Sequence, residues 1–231
     1  MNHILFIETA TKVCSAGVAS ENGIIALQED KSMQYSHSSR LNGFIENVVK
    51  EAGLAFNDLN AVAVSMGPGS YTGLRIGVSA AKGLCYGLDI PLISVNTLKA
   101  MAHVALNTIT PRADYYVPMI DARRMEVYNA VFDASLNICR ETIAEIIEAD
   151  AFSEYLTRGK VAFFGDGAPK CRDVITHSNA GFFSDINHSV EGMLEEAFQK
   201  FRDKNFEDVA YFEPYYLKDF VAGKPSVKGL R

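Results

Sequence analysis

Apolar residues in the first half of the chain fall into short runs separated by turn residues, and two stretches switch to helical spacing. Residues 3–8 and 13–19 are predicted strands, the second alternating around small side chains. Glu21-Asn22-Gly23 turns the chain into a third strand, 24–29. A polar stretch, 31–36, leads to a helix beginning near Ser38, where Leu41, Phe44, Ile45, Val48, Val49 and Ala52 share one face and Gly53 supplies the stop. A strand over 61–65, the turn Gly67-Pro68-Gly69, a helix over 71–88, a strand over 91–95 and a helix from Thr97 complete the unit.

The second half repeats that order in looser form. Residues 115–120, 125–132 and 136–141 read as three strands, followed by a helix from about Asp150. A strand over 161–165 then ends in the turn Gly165-Asp166-Gly167, and 190–202 has helical spacing. Two consecutive strand-strand-strand-helix-strand-helix units predict a duplicated α/β fold of the actin, sugar-kinase and heat-shock-ATPase type, whose members hold a nucleotide between the lobes. Polar residues and Pro111 between Asn107 and Asp114 place the boundary, giving lobes at 1–108 and 109–210. Residues 211–231 read as a basic tail, mobile in part.

Composition narrows the picture. At 231 residues and 48% hydrophobic, the chain is long enough for a large core. A formal net charge of −6 argues against a free-standing nucleic-acid binder. The start, MNHILFIETA, runs straight into a strand and has no leader pattern. Arg75, Lys82 and Asp89 interrupt the longest apolar stretches, so no membrane span is expected. Cys14, Cys85, Cys139 and Cys171 are widely separated without a C-x-x-C, which fits reduced thiols in a cytoplasmic protein.

Candidate chemistry gathers at strand ends. The turn of Gly67 and Gly69 opens a helix, where free N–H groups and the helix dipole attract anions, yet it has neither a P-loop lysine nor the G-x-G-x-x-G spacing. Glu8 and Thr9 end the first strand, where nucleotide-binding relatives place an acid and a small hydroxyl residue; capping the first hairpin is the plainer role. Ser70 and Thr72 read as helix caps before they read as ligand contacts. Glu8, Thr9, Gly67, Gly69 and Ser70 are therefore weak candidates for holding a cofactor. His37, without a second histidine at ligand spacing, reads as a solvated or capping residue. Asp121, Arg123 and Glu126 cluster at one turn, either as an ion pair fixing a hairpin or as a contact for a partner or nucleotide, and Asp166 reads as a loop residue that can face the cleft.

The helix over 71–88 is apolar around its whole circumference and needs cover on both sides. Gly73, Gly77 and Ala81 stand four apart as a smooth strip that admits another helix, from a partner or from the second lobe. The expected partner face comprises Leu41, Phe44, Ile45, Val48, Gly73, Leu74, Gly77, Val78, Ala81 and Leu84. On that reading Gly77→Arg breaks pairing and leaves the fold intact.

GPGSYTGLRIG, then SAAKGL, IPLISVNT and DARRMEVY, with Pro214-Tyr215-Tyr216-Leu217-Lys218 near the end, resemble the TsaB family of bacterial tRNA threonylcarbamoyladenosine proteins. The resemblance implies a non-catalytic subunit that binds a TsaD-like catalytic relative, works with a TsaE-like ATPase, meets tRNA only through the complex, and pairs with itself when alone. It implies no cofactor on the isolated chain and leaves room for an adenine nucleotide at the subunit interface. The catalytic relative carries two histidines four residues apart that reach one metal; here those positions are Thr97 and Met101, a poor and a soft ligand, so neither a metal site nor catalytic residues are expected. His103 lies two positions on, facing another side of the helix. Two other classes stay open: an ATPase or phosphotransferase of the same fold, resting on Glu8 and Asp166, and a metallopeptidase, which would need the missing ligands.

Overall fold

The structure, a computed structural model, describes residues 1–30, 37–186 and 188–218. The polar stretch 31–36, the side chains of His37 and Ser38, and tail residues 219–231 lie outside the described residues. In chain order the first unit comprises β1 (Ile4–Glu8), β2 (Cys14–Ser20), β3 (Gly23–Asp30), α1 (His37–Glu51), β4 (Ala61–Gly67), α2 (Tyr71–Leu88), β5 (Leu92–Asn96) and α3 (Thr97–Thr108). The second comprises β6 (Tyr115–Asp121), β7 (Glu126–Asp133), β8 (Ile138–Ile146), α4 (Ser153–Leu156), β9 (Val161–Phe164), β10 (Ala180–Phe183) and α5 (Leu194–Arg202).

The duplication expected from the sequence is explicit in the sheets. One runs β3-β2-β1-β4-β5 and the other β10-β9-β6-β7-β8, which is the same order read from the opposite edge. In each, an antiparallel meander of three strands is extended by two parallel strands on the far side of the first. Period-two alternation decides the layers. On the first sheet Leu5, Ile7, Val62 and Val64 face α1 and α2, while Ile4, Phe6, Ala61 and Ala63 face Val190, Met193, Ala197 and Phe198. On the second sheet Tyr116, Ile120 and Phe164 meet α3, and Val117, Met119 and Phe163 meet Phe152, Tyr155 and Leu156.

Three expectations need correction, and one strand was not foreseen. Residues 190–202, placed in the second lobe, form a 3-10 turn and α5 that cover the first sheet, so the 109–210 boundary cuts through a shared layer. The helix expected from Asp150 shrinks to the single turn α4, behind a left-handed Phe152. Strand β10 has no counterpart in the sequence reading: it is four half-buried residues at a sheet edge, too short to show alternation. Residues 211–218 are not loose. Lys82 Nζ donates to the carbonyls of Ala210 (3.1 Å) and Phe212 (2.9 Å), and the Tyr215 N–H donates to the Met66 carbonyl (2.7 Å). All four cysteines are free, with only Cys139 exposed, and among the described residues no helix is long and apolar enough to cross a membrane.

Candidate functional site

The β1 end, the turn into α2, the β6–β7 turn and a C-terminal strap, residues 211–218, enclose a cleft of about 450 Å³ between the two sheets. That is within the usual size of a small-molecule site. Thr11, Lys12, Gly69, Ser70, Thr72, Arg123, Tyr128, Asp166 and Lys218 line it. The strap crosses its mouth: the Tyr216 ring lies 4.9 Å from that of Tyr71, and Lys218 Nζ bonds Glu126 Oε1 at 2.6 Å, tying the strap to the second sheet.

The five weak cofactor candidates divide. Gly69 and Ser70 reach the cleft; Glu8 and Thr9 are fully buried behind it. Glu8 Oε1 accepts the Ala10 N–H (2.6 Å), and its other oxygen contacts His188 Nε2, a residue 180 positions away and itself buried. Burial drives the Glu8 carboxyl above its ordinary range, opposed by the Ser65 hydroxyl and the Ala10 and Thr9 N–H groups, and burial drives His188 below its own. The pair therefore holds one shared proton and stays neutral as a unit. Thr9 Oγ1 donates to the Gly73 carbonyl (2.8 Å). In the glycine turn, the Gly67 N–H donates to Thr97 Oγ1 (3.1 Å), the Ser70 N–H to the Ala10 carbonyl (2.7 Å) and the Gly73 N–H to Ser70 Oγ (3.3 Å). Three of the turn's N–H donors, those of Gly67, Ser70 and Gly73, are thus committed within the chain, and Ser70 is the N-cap of α2, as its position predicts.

The β6–β7 turn resolves the role of Asp121 and Glu126. Asp121 accepts from the Arg123 N–H (2.9 Å) and pairs with Lys170; burial alone would raise its carboxyl, but these donors, with Lys12, hold it below the ordinary carboxylate range. Asp166 accepts the Asp121 N–H (2.9 Å), and burial keeps its carboxyl raised. Arg123 and Arg124 both sit at positive φ, 74° and 50°. For non-glycine residues that costs on the order of 1–3 kcal/mol each.

Thr97 and Met101 both face the interior of the chain. Thr97 is fully buried and holds the glycine turn; Met101 packs against Gly165 beside His188 and Ile186. His103 points elsewhere, with Nδ1 3.5 Å from Glu195 on α5. Among the described residues no three His, Cys, Asp or Glu side chains converge as a metal set.

The expected partner face is largely inside the molecule. Leu41, Ile45, Val48, Gly73, Leu74, Gly77, Val78 and Ala81 are buried in the core of this chain. A Cβ at Gly73 would stand 2.1 Å from the Thr9 carbonyl oxygen, and one at Gly77 2.2 Å from Thr9 Oγ1. The small-residue strip therefore admits the chain's own β1 end, and no partner helix can use it. Phe44 and Leu84 remain half-buried at the surface. A second strip, Ile76, Ala80, Gly83 and Gly87, runs along the outer face of α2 at helical spacing, with open space at Gly83 and Gly87. Sequence reasoning missed His188 because a lone histidine carries no periodic signal, and missed Gly83 because two glycine series share one helix.

Comparisons with known proteins agree with this architecture. The family described as "TsaD: tRNA N6-adenosine threonylcarbamoyltransferase" matches residues 31–222. The "tRNA threonylcarbamoyladenosine biosynthesis protein TsaB" of Escherichia coli (strain K12) is 30% identical over 96% of this chain and 96% of its own length. The protein of the same name from Haemophilus influenzae is 35% identical over 54% of this chain and 51% of its own. A Pseudomonas aeruginosa crystal structure, described as an uncharacterized protein with similarity to peptidase YEAZ, superposes with a TM-score of 0.82 over 94% of this chain and 100% of that one, at 23% identity, and so shares the fold. With 30% identity to the Escherichia coli TsaB protein over 96% of both chains, and with the TsaD-type family model matching residues 31–222, this chain belongs to the TsaB family, within the wider family of the TsaD-type transferases.

Proposed function

We propose that this chain is a subunit of a tRNA threonylcarbamoyladenosine-forming assembly, binding a TsaD-type catalytic relative and supporting its transfer of threonylcarbamoyl to tRNA. The observation that carries the reading is the fate of Thr97 and Met101: the helix positions that hold a metal in the catalytic relative are here structural, one capping the glycine turn and the other filling the space beside Gly165. The Glu8 carboxylate, needed near phosphate and metal in the ATPase reading, is buried against His188 instead. The contact face we assign is the outer side of α1 and α2, carrying Phe44, Ile76, Ala80, Gly83, Leu84 and Gly87. Half-buried apolar residues beside glycines let a second helix pair approach closely, and the same face serves self-pairing when the relative is absent. A TsaE-like ATPase, and an adenine nucleotide held between subunits, belong to the same reading.

Gly83→Arg tests it. The position has open space at its Cβ, and arginine is the better helix former, so the variant should melt at or above the wild-type temperature. Affinity for the catalytic relative, measured by calorimetry, should fall at least about tenfold, because a buried contact gains an unpaired charge. Unchanged affinity in a folded variant removes this face from the proposal.

A further inference from the structure

Around the β6–β7 turn every described carboxylate has a partner: Asp121 holds Lys170 and the Arg123 N–H, Glu126 holds Lys218, and Asp166 holds the Asp121 N–H. The two arginines at the tip are left over. Elsewhere Arg40, Arg140, Arg158 and Arg202 rest on carboxylates, Arg75 and Arg172 on aromatic rings, and Arg112 is exposed but, among the described residues, stands alone, away from the cleft lining. Among the described residues the guanidinium groups of Arg123 and Arg124 make neither kind of contact, and both side chains are exposed. Their backbone, in contrast, is fixed. Ala122 donates to the Glu126 carbonyl and Glu126 to that of Arg123, each at 3.1 Å, and both arginines are held at positive φ. A strained turn locked by ion pairs at its base, presenting two unpaired planar cations, is built to meet an anion outside the chain.

We propose that Arg123 and Arg124 form a contact for the phosphate backbone of tRNA, made when this chain sits in its complex. The inference rests on the function proposed above and names how the subunit meets the RNA. The chain as a whole carries −6 and repels a polyanion, so any approach needs a local positive point, and this tip, with Lys12 also lining the cleft close to Asp121, is one. Guanidinium forks match phosphate oxygens bidentately, and adjacent forks on a rigid turn suit successive phosphates of one strand. Arg123 lines the cleft, and Arg124 follows it at the exposed tip of the turn, where a chain can pass.

The test uses the complex of the full chain with its catalytic relative and an unmodified tRNA transcript, with binding followed by anisotropy across a salt series. Asparagine tolerates the left-handed region, so the double variant Arg123→Asn, Arg124→Asn keeps the turn while removing both charges. We expect tRNA affinity to fall about tenfold near 0.1 M salt and the salt slope to drop by roughly 0.7–0.9 for each phosphate that is no longer neutralised. The corresponding double lysine variant should retain most of the slope. Unchanged affinity and slope with the complex intact overturn the proposal. Loss of assembly, with tRNA affinity of the remaining complex unchanged, also overturns it and assigns the tip to the protein partner. If the wild-type chain does not assemble with the relative at all, the functional reading fails and this contact falls with it.

Discussion

Gly77→Arg unfolds the first lobe. The Cβ of any residue placed there stands 2.2 Å from Thr9 Oγ1 and 3.5 Å from Ile7 Cγ2, inside the layer between α2 and the first sheet. The helix cannot lift away, because Thr9 donates to the Gly73 carbonyl one turn earlier and Val78, Ala81 and Cys85 are packed in the same core. Overpacking by the methyl of Gly77→Ala alone should cost about 1–3 kcal/mol. Arginine adds a charge with no partner in that layer and should push the total past roughly 4 kcal/mol, a large part of a domain's stability. Thermal melting followed by circular dichroism reads the effect directly. A Gly77→Arg protein that melts like wild type would show that the strip faces outward after all, and would return the partner surface to the position that spacing alone suggests.

The buried Glu8–His188 pair sets an expected pH profile for stability. In the unfolded chain the two groups titrate near their ordinary values, 4.5 and 6.5. Between those values both folded and unfolded states hold one proton on the pair, so its contribution is flat. Above pH 6.5 the unfolded chain has lost both protons, while burial keeps one on the folded pair through the raised Glu8, so stability falls as pH rises. Below pH 4.5 the unfolded chain takes up a second proton that the depressed His188 refuses, so stability falls as pH drops. Each flank should approach a slope of about 1.4 kcal/mol per pH unit, the alkaline one levelling off near pH 8, where the folded Glu8 itself gives up its proton. Subtracting the profile of a Glu8→Gln, His188→Asn double variant isolates the pair from other titrating groups. A difference profile that stays level from pH 4 to pH 8 would mean that the two groups titrate in the folded protein as they do in water. His188→Ala should also lower stability at neutral pH by roughly 3 kcal/mol, since it leaves a cavity and an unpaired buried carboxyl.

What was legible from the chain follows from where the physical signal is local. The strands of the first sheet are apolar runs closed by turn residues, and α2 runs from Tyr71 to Leu88 as its N-cap and apolar content predict. The second lobe is less legible because its short elements lean on the first: α5 is amphipathic, but nothing local says that its apolar face will cover Phe6 and Val95 from the other half of the chain. The glycine strip shows the limit most clearly. Residues four apart on a helix share a face, but spacing does not say whether that face meets a partner or the chain's own strand. The hydrogen bond between Thr9 and Gly73, 64 positions apart, decides it. The Glu8–His188 pair, separated by 180 positions, is hidden for the same reason.

On the function proposed, this chain supports threonylcarbamoyl transfer by a TsaD-type relative without performing it. The direct measurement is incorporation of threonylcarbamoyl into an unmodified tRNA transcript by that relative, supplied with the other components of the reaction, with and without this chain. Incorporation should require the chain, be unaffected by Met101→Leu within it, and fall with Gly83→Arg, at subunit concentrations near the wild-type Kd, while that variant remains folded. Equal incorporation in the absence of the chain, or transfer by the chain with the relative left out, would contradict this role.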